Sequence, residues 1–304
     1  MTAVVLLGDI NIDLLLEIES YPAEGGEAIA ARQTTGLGGS ATNTAITLAR
    51  LGYDARLLGR VGSDAWGAQA LADLRQAGVN IEWVTTDAAE PTQLNLVTVT
   101  PGGERTMFAY RGANAHLGPE QVVSSLFDGA SLLHLSGYAL LVSPQLDAAM
   151  AAIAMARRQD IPITLDIPAG VVAQIAPVVL SLLGQIDTIM LGEPDLSALQ
   201  ATDASTLLQA GVRRVVIKQG RYGSSLYERA IAIHVPGCEA RALDTTGAGD
   251  AFAAGMIAGA LEKLDPKQCC KMGNALGAAA VTQVGAGLSM PGRAELQRFW
   301  PEAN

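Results

Sequence analysis

The sequence predicts an α/β fold, a central and mostly parallel β-sheet with helices on both faces, carrying a small β-sheet lid. Three observations predict it. Short apolar runs alternate with longer helical patterns over most of the 304 residues, as strands buried between two helical layers require. Two regions break this rhythm, one of them around a Pro-Gly-Gly turn. Hydrophobic residues make up 49% of the chain and charged residues 16%, which supplies a large core and argues against disorder.

Buried strands are expected at Val4 to Leu7, Ala55 to Val61, Ser131 to Leu135, Ile163 to Asp166, Thr188 to Leu191 and Arg213 to Lys218. Each is a continuous apolar run too short for a helix. Amphipathic or alanine-rich helices are expected at Ala41 to Leu51, Ala65 to Ala77, Pro144 to Arg157 and Val171 to Leu182, with an apolar one at Ala251 to Leu261. Lys263, Lys267 and Lys271 recur every four residues, the spacing of a solvated helix face. No repeat, low-complexity tract or linker interrupts the chain, so residues 1–304 read as a single domain.

The first break, Leu14 to Gln33, lacks helical period. The second, Gln93 to Tyr110, holds two runs split by Pro101-Gly102-Gly103, a hairpin signal. Residues 14–37 and 92–111 therefore read as lid segments inserted in the α/β core, placed over the carboxyl ends of the strands, where open sheets bind ligands. An ordinary hairpin at the edge of the main sheet is the alternative.

Charge excludes several functions. The formal net charge is -10, from 30 acidic and 20 basic residues. The four lysines are Lys218, Lys263, Lys267 and Lys271, and none follows a glycine, so the Gly-Lys-Ser/Thr phosphate loop is absent. Without a basic run the surface suits no nucleic-acid backbone. Any phosphate must be met by backbone N–H groups at a few local points. Mean hydropathy is high, +0.27, but the apolar stretch Ala251 to Leu261 is far short of the roughly twenty residues of a membrane span. The N-terminal apolar run has no basic flank and is interrupted by Asp9 and Asp13, so neither a signal peptide nor a membrane anchor is expected. Cys238, Cys269 and Cys270 give no disulfide framework, and with His116, His134 and His234 no zinc spacing. Reduced thiols and a cytoplasmic location are expected.

The most informative segment is Asp244-Thr-Thr-Gly-Ala-Gly-Asp250, running into the apolar helix. Small residues at a helix start let a ligand approach the backbone, and the unpaired N–H groups and helix dipole favour an anion there. Asp250, in the first turn, would repel that anion, so phosphate binding alone explains it badly. It fits a general base taking a proton from a hydroxyl that attacks a phosphoryl group.

That segment, continued by Ala254-Gly255-Met256-Ile257, resembles the C-terminal signature of the ribokinase-like (PfkB) carbohydrate kinases. Gly38-Gly39-Ser40-Ala41-Thr42-Asn43-Thr44-Ala45 resembles their N-terminal signature, followed by Leu51-Gly52 and Gly59-Arg60-Val61-Gly62-Ser63-Asp64 in the same style. Gly8-Asp9-Ile10-Asn11-Ile12-Asp13 is similar to their sugar-contacting Asn-x-Asp, and Gly112-Ala113-Asn114 to a frequent lid-exit motif. These elements follow family order from residue 4 to about Pro291.

The resemblance implies ATP-dependent phosphorylation of an alcohol, with Mg2+ as cofactor. By position, Asp250 is the catalytic base, and the N–H groups of Gly247, Ala248 and Gly249 hold the transferring phosphoryl group. Asn11, Asp13, Gly39 and Asn43 would bind sugar hydroxyls. The segment Val215 to Gly223 resembles the strand and turn along the ATP, giving Lys218, Gly220 and Gly223, while Asn274 matches a position near the adenine. Lys218 can meet a phosphate or pair with a carboxylate. Asp244, Thr246, Ala280, Gln283, Gly285 and Ser289 match the loops that hold a monovalent cation in potassium-activated relatives, which makes K+ a candidate.

The sequence departs from the family pattern twice. Where the family carries Asn-x-x-Glu, tied to magnesium, this chain has Gly192-Glu193-Pro194-Asp195. Either Glu193 and Asp195 take over through water, or metal handling is weakened. Where ribokinase places a sugar-binding glutamate, the chain reads His134-Leu135-Ser136-Gly137-Tyr138, which turns the expectation from ribose toward a ketose, another pentose or a sugar acid. Arg105 and Arg111 flank the second lid strand, and Arg105 is the candidate for an anionic substrate group.

Two alternatives keep the fold: a nucleoside kinase, with Phe108, Tyr110, Trp83 and Tyr21 available for stacking a base, and a catalytically silent sugar or nucleotide sensor. A dinucleotide-dependent dehydrogenase is the alternative of a different class, and the sequence disfavours it. Gly36-Leu37-Gly38-Gly39-Ser40-Ala41 satisfies G-x-G-x-x-A, but polar Ala31 to Thr35 precedes it instead of a buried strand. The exposed edges of a β lid predict a homodimer formed through it.

Overall fold

A computed structural model describes residues 1–302. Its strands are β1 (Ala3–Leu7), β2 (Asn11–Glu17), β3 (Arg32–Gly38), β4 (Asp54–Gly62), β5 (Val84–Asp87), β6 (Gln93–Val99), β7 (Arg105–Tyr110), β8 (Ala130–Ser136), β9 (Ile163–Asp166), β10 (Thr188–Gly192), β11 (Arg214–Lys218), β12 (Ser224–Glu228) and β13 (Ile231–Val235). The helices are α1 (Ser40–Leu51), α2 (Ala65–Gln76), α3 (Gln145–Arg158), α4 (Val172–Leu182), α5 (Ala204–Gln209), α6 (Ala248–Leu261), α7 (Pro266–Ala280) and α8 (Arg293–Phe299).

The nine-stranded main sheet runs β13-β12-β11-β10-β9-β8-β1-β4-β5. All neighbours from β11 to β5 pair in parallel, and β12 and β13 close one edge antiparallel. Strand alternation divides the core between the two faces. Val4 and Leu6 of β1 pack with residues of α1, α2, α6 and α7, whereas Val5 and Leu7 pack with residues of α3 and α4. Both faces of the parallel strands are thereby dry, which is why they read as continuous apolar runs.

The four-stranded second sheet has the order β3-β2-β6-β7. The hairpin β6–β7 pairs with β2 rather than with the main sheet, so it is not an edge hairpin of the core. The first lid strand starts at Asn11, earlier than the expected break at Leu14, and so carries Asn11 and Asp13 on the lid itself. α6 starts at Ala248, three residues before the expected Ala251. Its N-cap is Gly247, in the left-handed region at φ 76°, where a glycine is needed. Lys263 lies in the turn before α7, not on the helix that carries Lys267 and Lys271. Among the described residues no helix is long and apolar enough to cross a membrane.

Candidate active site

The carboxyl ends of the central strands, the lid and the start of α6 enclose a cavity of about 570 Å³. Asp250 stands in the first turn of α6 on its wall. Its Oδ1 accepts a hydrogen bond from Ser40 Oγ at 2.7 Å and its Oδ2 one from Asn43 Nδ2 at 2.7 Å. Burial pushes its pKa up to about 6, against the lowering effect of the Asn43 and Ser40 hydrogen bonds; Asp166 adds to the rise and Lys218 opposes it. The two donors come from the start of α1, whose N-cap Gly39 sits at φ 109° because a side chain there would run into the Asp9 carbonyl.

Asn43 was expected at a sugar hydroxyl. It lines the cavity, and its amide is held at both ends, by Asp250 through Nδ2 and by the Gly287 N–H through Oδ1 at 3.0 Å, so it also orients Asp250. At the start of α6 the Ala248 N–H is turned to the Thr245 carbonyl at 3.3 Å. Ala248 was expected in a phosphoryl cradle beside Gly247 and Gly249. Both of these line the cavity, and Gly249 faces Lys218 Nζ.

The lid supplies the polar wall. Asp13 Oδ1 accepts from Asn11 Nδ2 at 2.7 Å and from Asn95 Nδ2 at 2.8 Å, because β2 and β6 pair in parallel with Asp13 opposite Asn95. Burial raises the Asp13 pKa, while Asn95, Arg105 and Asn11 act to lower it. Arg111 leaves the end of β7 and reaches both oxygens of buried Asp9, at 2.8 and 3.0 Å; Gln145 donates to the same carboxylate at 2.8 Å. Arg105, expected to meet the substrate, does not line this cavity. It bonds Asp244 at 2.9 Å and also Thr246. β7 is one strand with an arginine at each end, and only the end nearer the main sheet overhangs the cavity.

A second cavity, about 300 Å³, lies beyond the start of α6 and shares Lys218, Thr245 and Gly249 with the first. Gly220 and Gly223 line it, both at positive φ, along with Cys238, Phe252 and Val281. Asn274 also lines it, and Nδ2 donates to the carbonyls of Val235 and Pro236 at 3.1 Å, which fastens the loop forming one wall. Lys218 resolves toward the carboxylate: its Nζ lies 2.5 Å from Asp166 Oδ1. Burial raises the Asp166 pKa against the opposing pull of that lysine.

Sequence reasoning missed Ser40, Asn95, Asp166, Tyr138 and Gln145 as members of the site. Ser40 stood inside the glycine-rich motif and was legible as a helix-start hydroxyl. The others come from separate strands and helices, and no local pattern marks them. His134, which opens the segment His134 to Tyr138, is fully buried in β8 with Nδ1 on Thr164 Oγ1 at 2.9 Å. Burial holds it neutral, with a pKa of about 3. It does not line the cavity.

This arrangement pairs a raised carboxylate with a helix-start anion cradle and a polar lid, on a chain that matches the pfkB family carbohydrate kinases over residues 1–293. The chain belongs to the PfkB family of carbohydrate kinases. An ATP-dependent ribose-1-phosphate kinase of Halopiger xanaduensis is 31% identical over 287 residues, covering 94% of each chain. A ribokinase of Arabidopsis thaliana is 31% identical over 306 residues, covering 95% of this chain and 78% of that one. The solved structure of Arabidopsis thaliana ribokinase complexed with ribose and ATP superposes with a TM-score of 0.84 at 26% identity, covering 98% and 99% of the two chains.

As a PfkB kinase the chain is expected to use Mg2+. Among the described residues no group of three or more His, Cys, Asp or Glu could hold a metal, so there is no all-protein cage. Asp195 is buried, lines the cavity and accepts the Gly192 N–H on Oδ2 at 3.0 Å. Glu193, expected beside it, is exposed, faces Gln219 and lines neither cavity. A single free-standing carboxylate such as Asp195 fits a hard cation that keeps its waters and arrives on phosphates.

Proposed function

We propose that this PfkB kinase transfers the γ-phosphoryl group of ATP to a hydroxyl of a small, uncharged sugar, with Asp250 as general base. The observation that carries the reading is the Asp250 carboxylate, raised to about 6 and held by two neutral donors beside the residues that join the two cavities. The smaller, mostly apolar cavity suits the adenine, and the larger, polar one suits the sugar.

In the reaction the acceptor hydroxyl faces Asp250, which takes its proton as the oxygen attacks the γ-phosphorus. Ser40 and Asn43 keep the carboxylate oriented, so little reorganisation accompanies proton transfer. The Gly247 and Gly249 N–H groups receive the negative oxygens at the positive end of α6. Asp195, on the cavity wall, is the carboxylate that would hold Mg2+ arriving with the nucleotide, and the ion would supply charge neutralisation at the phosphates.

The acceptor class follows from charge. Five aspartates line the larger cavity, Asp9, Asp13, Asp166, Asp195 and Asp250, against Arg111 and Lys218. Lys218 is paired with Asp166 and Arg111 with Asp9 through Nη2, while Arg111 Nε and Nη1 take no partner, so the carboxylates outnumber the cations five to two. Carboxylates and amides of this kind accept from and donate to sugar hydroxyls, whereas a sugar acid or sugar phosphate would meet excess negative charge. A nucleoside is disfavoured by strand alternation: Met107 and Ala109 of β7 face the cavity, and Phe108 and Tyr110 do not. Exposed Met107, Phe108 and Tyr110 on an unpaired edge strand support a homodimer through the lid, which light scattering at micromolar concentration tests.

The deciding experiment is an ADP-release screen across pentoses, ketohexoses, aldohexoses, sugar acids, sugar phosphates including ribose 1-phosphate, and nucleosides. Release with a neutral pentose or ketose is expected. Release confined to a phosphorylated or acidic acceptor would overturn the uncharged class, and none with any acceptor would overturn the reaction.

A further inference from the structure

Asp244 and Thr246 form a hydrogen-bonded knot in the loop leading to α6. Asp244 Oδ1 accepts from the Thr246 N–H at 2.9 Å, from Thr246 Oγ1 at 2.7 Å and from Arg105 Nη1 at 2.9 Å, while Oδ2 accepts from the Gly285 N–H at 2.9 Å. Arg105 Nη1 also reaches Thr246 Oγ1. Oδ1 is therefore filled by three donors, and Oδ2 is engaged by one. The remaining residues expected around a monovalent cation do not close on that point as free ligands. The Ala280 carbonyl accepts the Gln283 N–H at 3.1 Å, and Gln283 and Ser289 are exposed. The residues do not fit a resident monovalent cation, because a guanidinium of the same charge already sits on the same oxygens.

We infer that Arg105 delivers from the lid the single positive charge that the Asp244 to Thr246 loop requires, replacing a monovalent cation and acting as a positioning residue for the start of α6. The inference rests on the reading of Gly247 to Asp250 as the site of phosphoryl transfer. Two residues separate Asp244 from Gly247, so an uncompensated carboxylate there would work against a polyphosphate at the α6 amides. Arg105 cancels that charge through short, charge-assisted bonds while keeping the Thr246 hydroxyl on Asp244. The pair is largely shielded, at 31% side-chain exposure for Arg105 and 13% for Asp244, so salt screens it weakly. A dissolved cation would be present whatever the lid does. Arg105 is the first residue of β7, paired with Val99, so its charge arrives only with the lid in place. Closure over the acceptor and alignment of the phosphoryl cradle thereby become one event.

The test compares the wild-type protein, Arg105→Gln and Arg105→Lys, with thallous nitrate as the probe for a cation site. Calorimetry follows Tl+ uptake, and MgATP affinity is measured in potassium against tetramethylammonium salts at equal ionic strength. Neither readout needs an acceptor, so failure to find a phosphorylated sugar leaves the outcome readable. The wild type and Arg105→Lys are expected to show no saturable Tl+ uptake and no potassium response in MgATP affinity. Arg105→Gln is expected to bind MgATP about tenfold more weakly in tetramethylammonium, to recover in potassium and to take up Tl+ saturably. Saturable Tl+ uptake by the wild type, or a potassium response above about fivefold, overturns the inference whether or not the variants fold. So does a folded Arg105→Gln that is weakened yet indifferent to potassium, since that marks a merely structural contact.

Discussion

Asp250→Asn removes the base and keeps its shape. The amide oxygen can accept from Asn43 Nδ2 and the amide nitrogen can donate to Ser40 Oγ, so both present contacts at 2.7 Å have counterparts. What is lost is the proton acceptor alone. General-base catalysis contributes about 10²–10⁴ in rate, so kcat is expected to fall by that factor while MgATP affinity changes little. A coupled ADP-release assay and calorimetric nucleotide binding measure the two separately. Turnover within a few-fold of wild type would refute the role of Asp250, and a comparable loss of nucleotide binding would show that the substitution had disturbed the cradle.

The same substitution makes a stability prediction of definite sign. The folded-state pKa of Asp250, about 6, lies above its ordinary value of 3.8. The folded state therefore holds this proton more tightly than the unfolded chain, and stability is lost as pH rises from about 4 through 6. The difference is worth at most about 3 kcal/mol at neutral pH, and solvent entering the cavity reduces it. Asp250→Asn mimics the protonated acid and escapes that loss. In the absence of ligands it is expected to melt several degrees higher than wild type at pH 7.5 and at the same temperature near pH 4. Wild-type kcat/KM should fall on the acid side of about pH 6, as the base is protonated. A variant no more stable at pH 7.5 than at pH 4, relative to wild type, would refute the burial argument.

Three further substitutions probe other parts of the site. Asp13→Ala removes the acceptor that orders Asn11 and Asn95, and should raise the sugar KM about tenfold with MgATP affinity unchanged; an equal effect on both would show a wider disturbance. Gly247→Ala forces a side chain to φ 76° with its Cβ 2.7 Å from Met290 Sδ, costing about 1–2 kcal/mol from the backbone alone. Its thermal stability and kcat should both drop, and unchanged values would remove the need for glycine there. Arg111→Leu strands the buried Asp9 carboxylate with Gln145 as its remaining side-chain donor, and should cost about 3–5 kcal/mol by urea unfolding, much of it recovered when Asp9→Asn is added.

What was legible in the sequence was local. Asp250, Gly247 and Gly249 stand within one contiguous run, where helix-start physics acts over a single turn, and the buried strands β1, β8 and β9 announced themselves as apolar runs. The Asp13–Asn95 contact was not legible, because it depends on the register of two strands separated by 82 residues. Asp166 and Lys218 each ended a predicted strand, but their pairing follows from sheet order, with β10 between β9 and β11. The two lid arginines were equivalent in sequence, as residues flanking one strand. Only the direction of β7 relative to the body sends Arg111 to Asp9 and Arg105 to Asp244. The unexpected edge strands β12 and β13 are five residues each; β12 is mixed in polarity, and β13, though mostly apolar, faces solvent over most of its length, so neither stood out as a buried run.

The charge of the site also explains how an acidic protein manages a polyanion. Arg111, Lys218 and Arg105 are each joined to a carboxylate, so they hold the walls in register and leave no unpaired cation among them to attract phosphate. Attraction must then come from the N–H groups at the start of α6 and from the metal that travels with the nucleotide. Asp250 sits at that same positive helix end, which favours its ionised form, while burial favours the protonated one. The balance near 6 leaves it ionised at neutral pH yet more basic than an exposed aspartate, as proton abstraction from an alcohol demands. An acceptor bearing its own phosphate or carboxylate would meet Asp13, Asp195 and Asp250, with the ion-paired Arg111 and Lys218 as the cations on the same wall. A neutral sugar would meet the same carboxylates as hydrogen-bond acceptors, and in the proposed reaction the Asn11–Asp13–Asn95 wall, by holding the rest of the ring, would select the hydroxyl presented to Asp250.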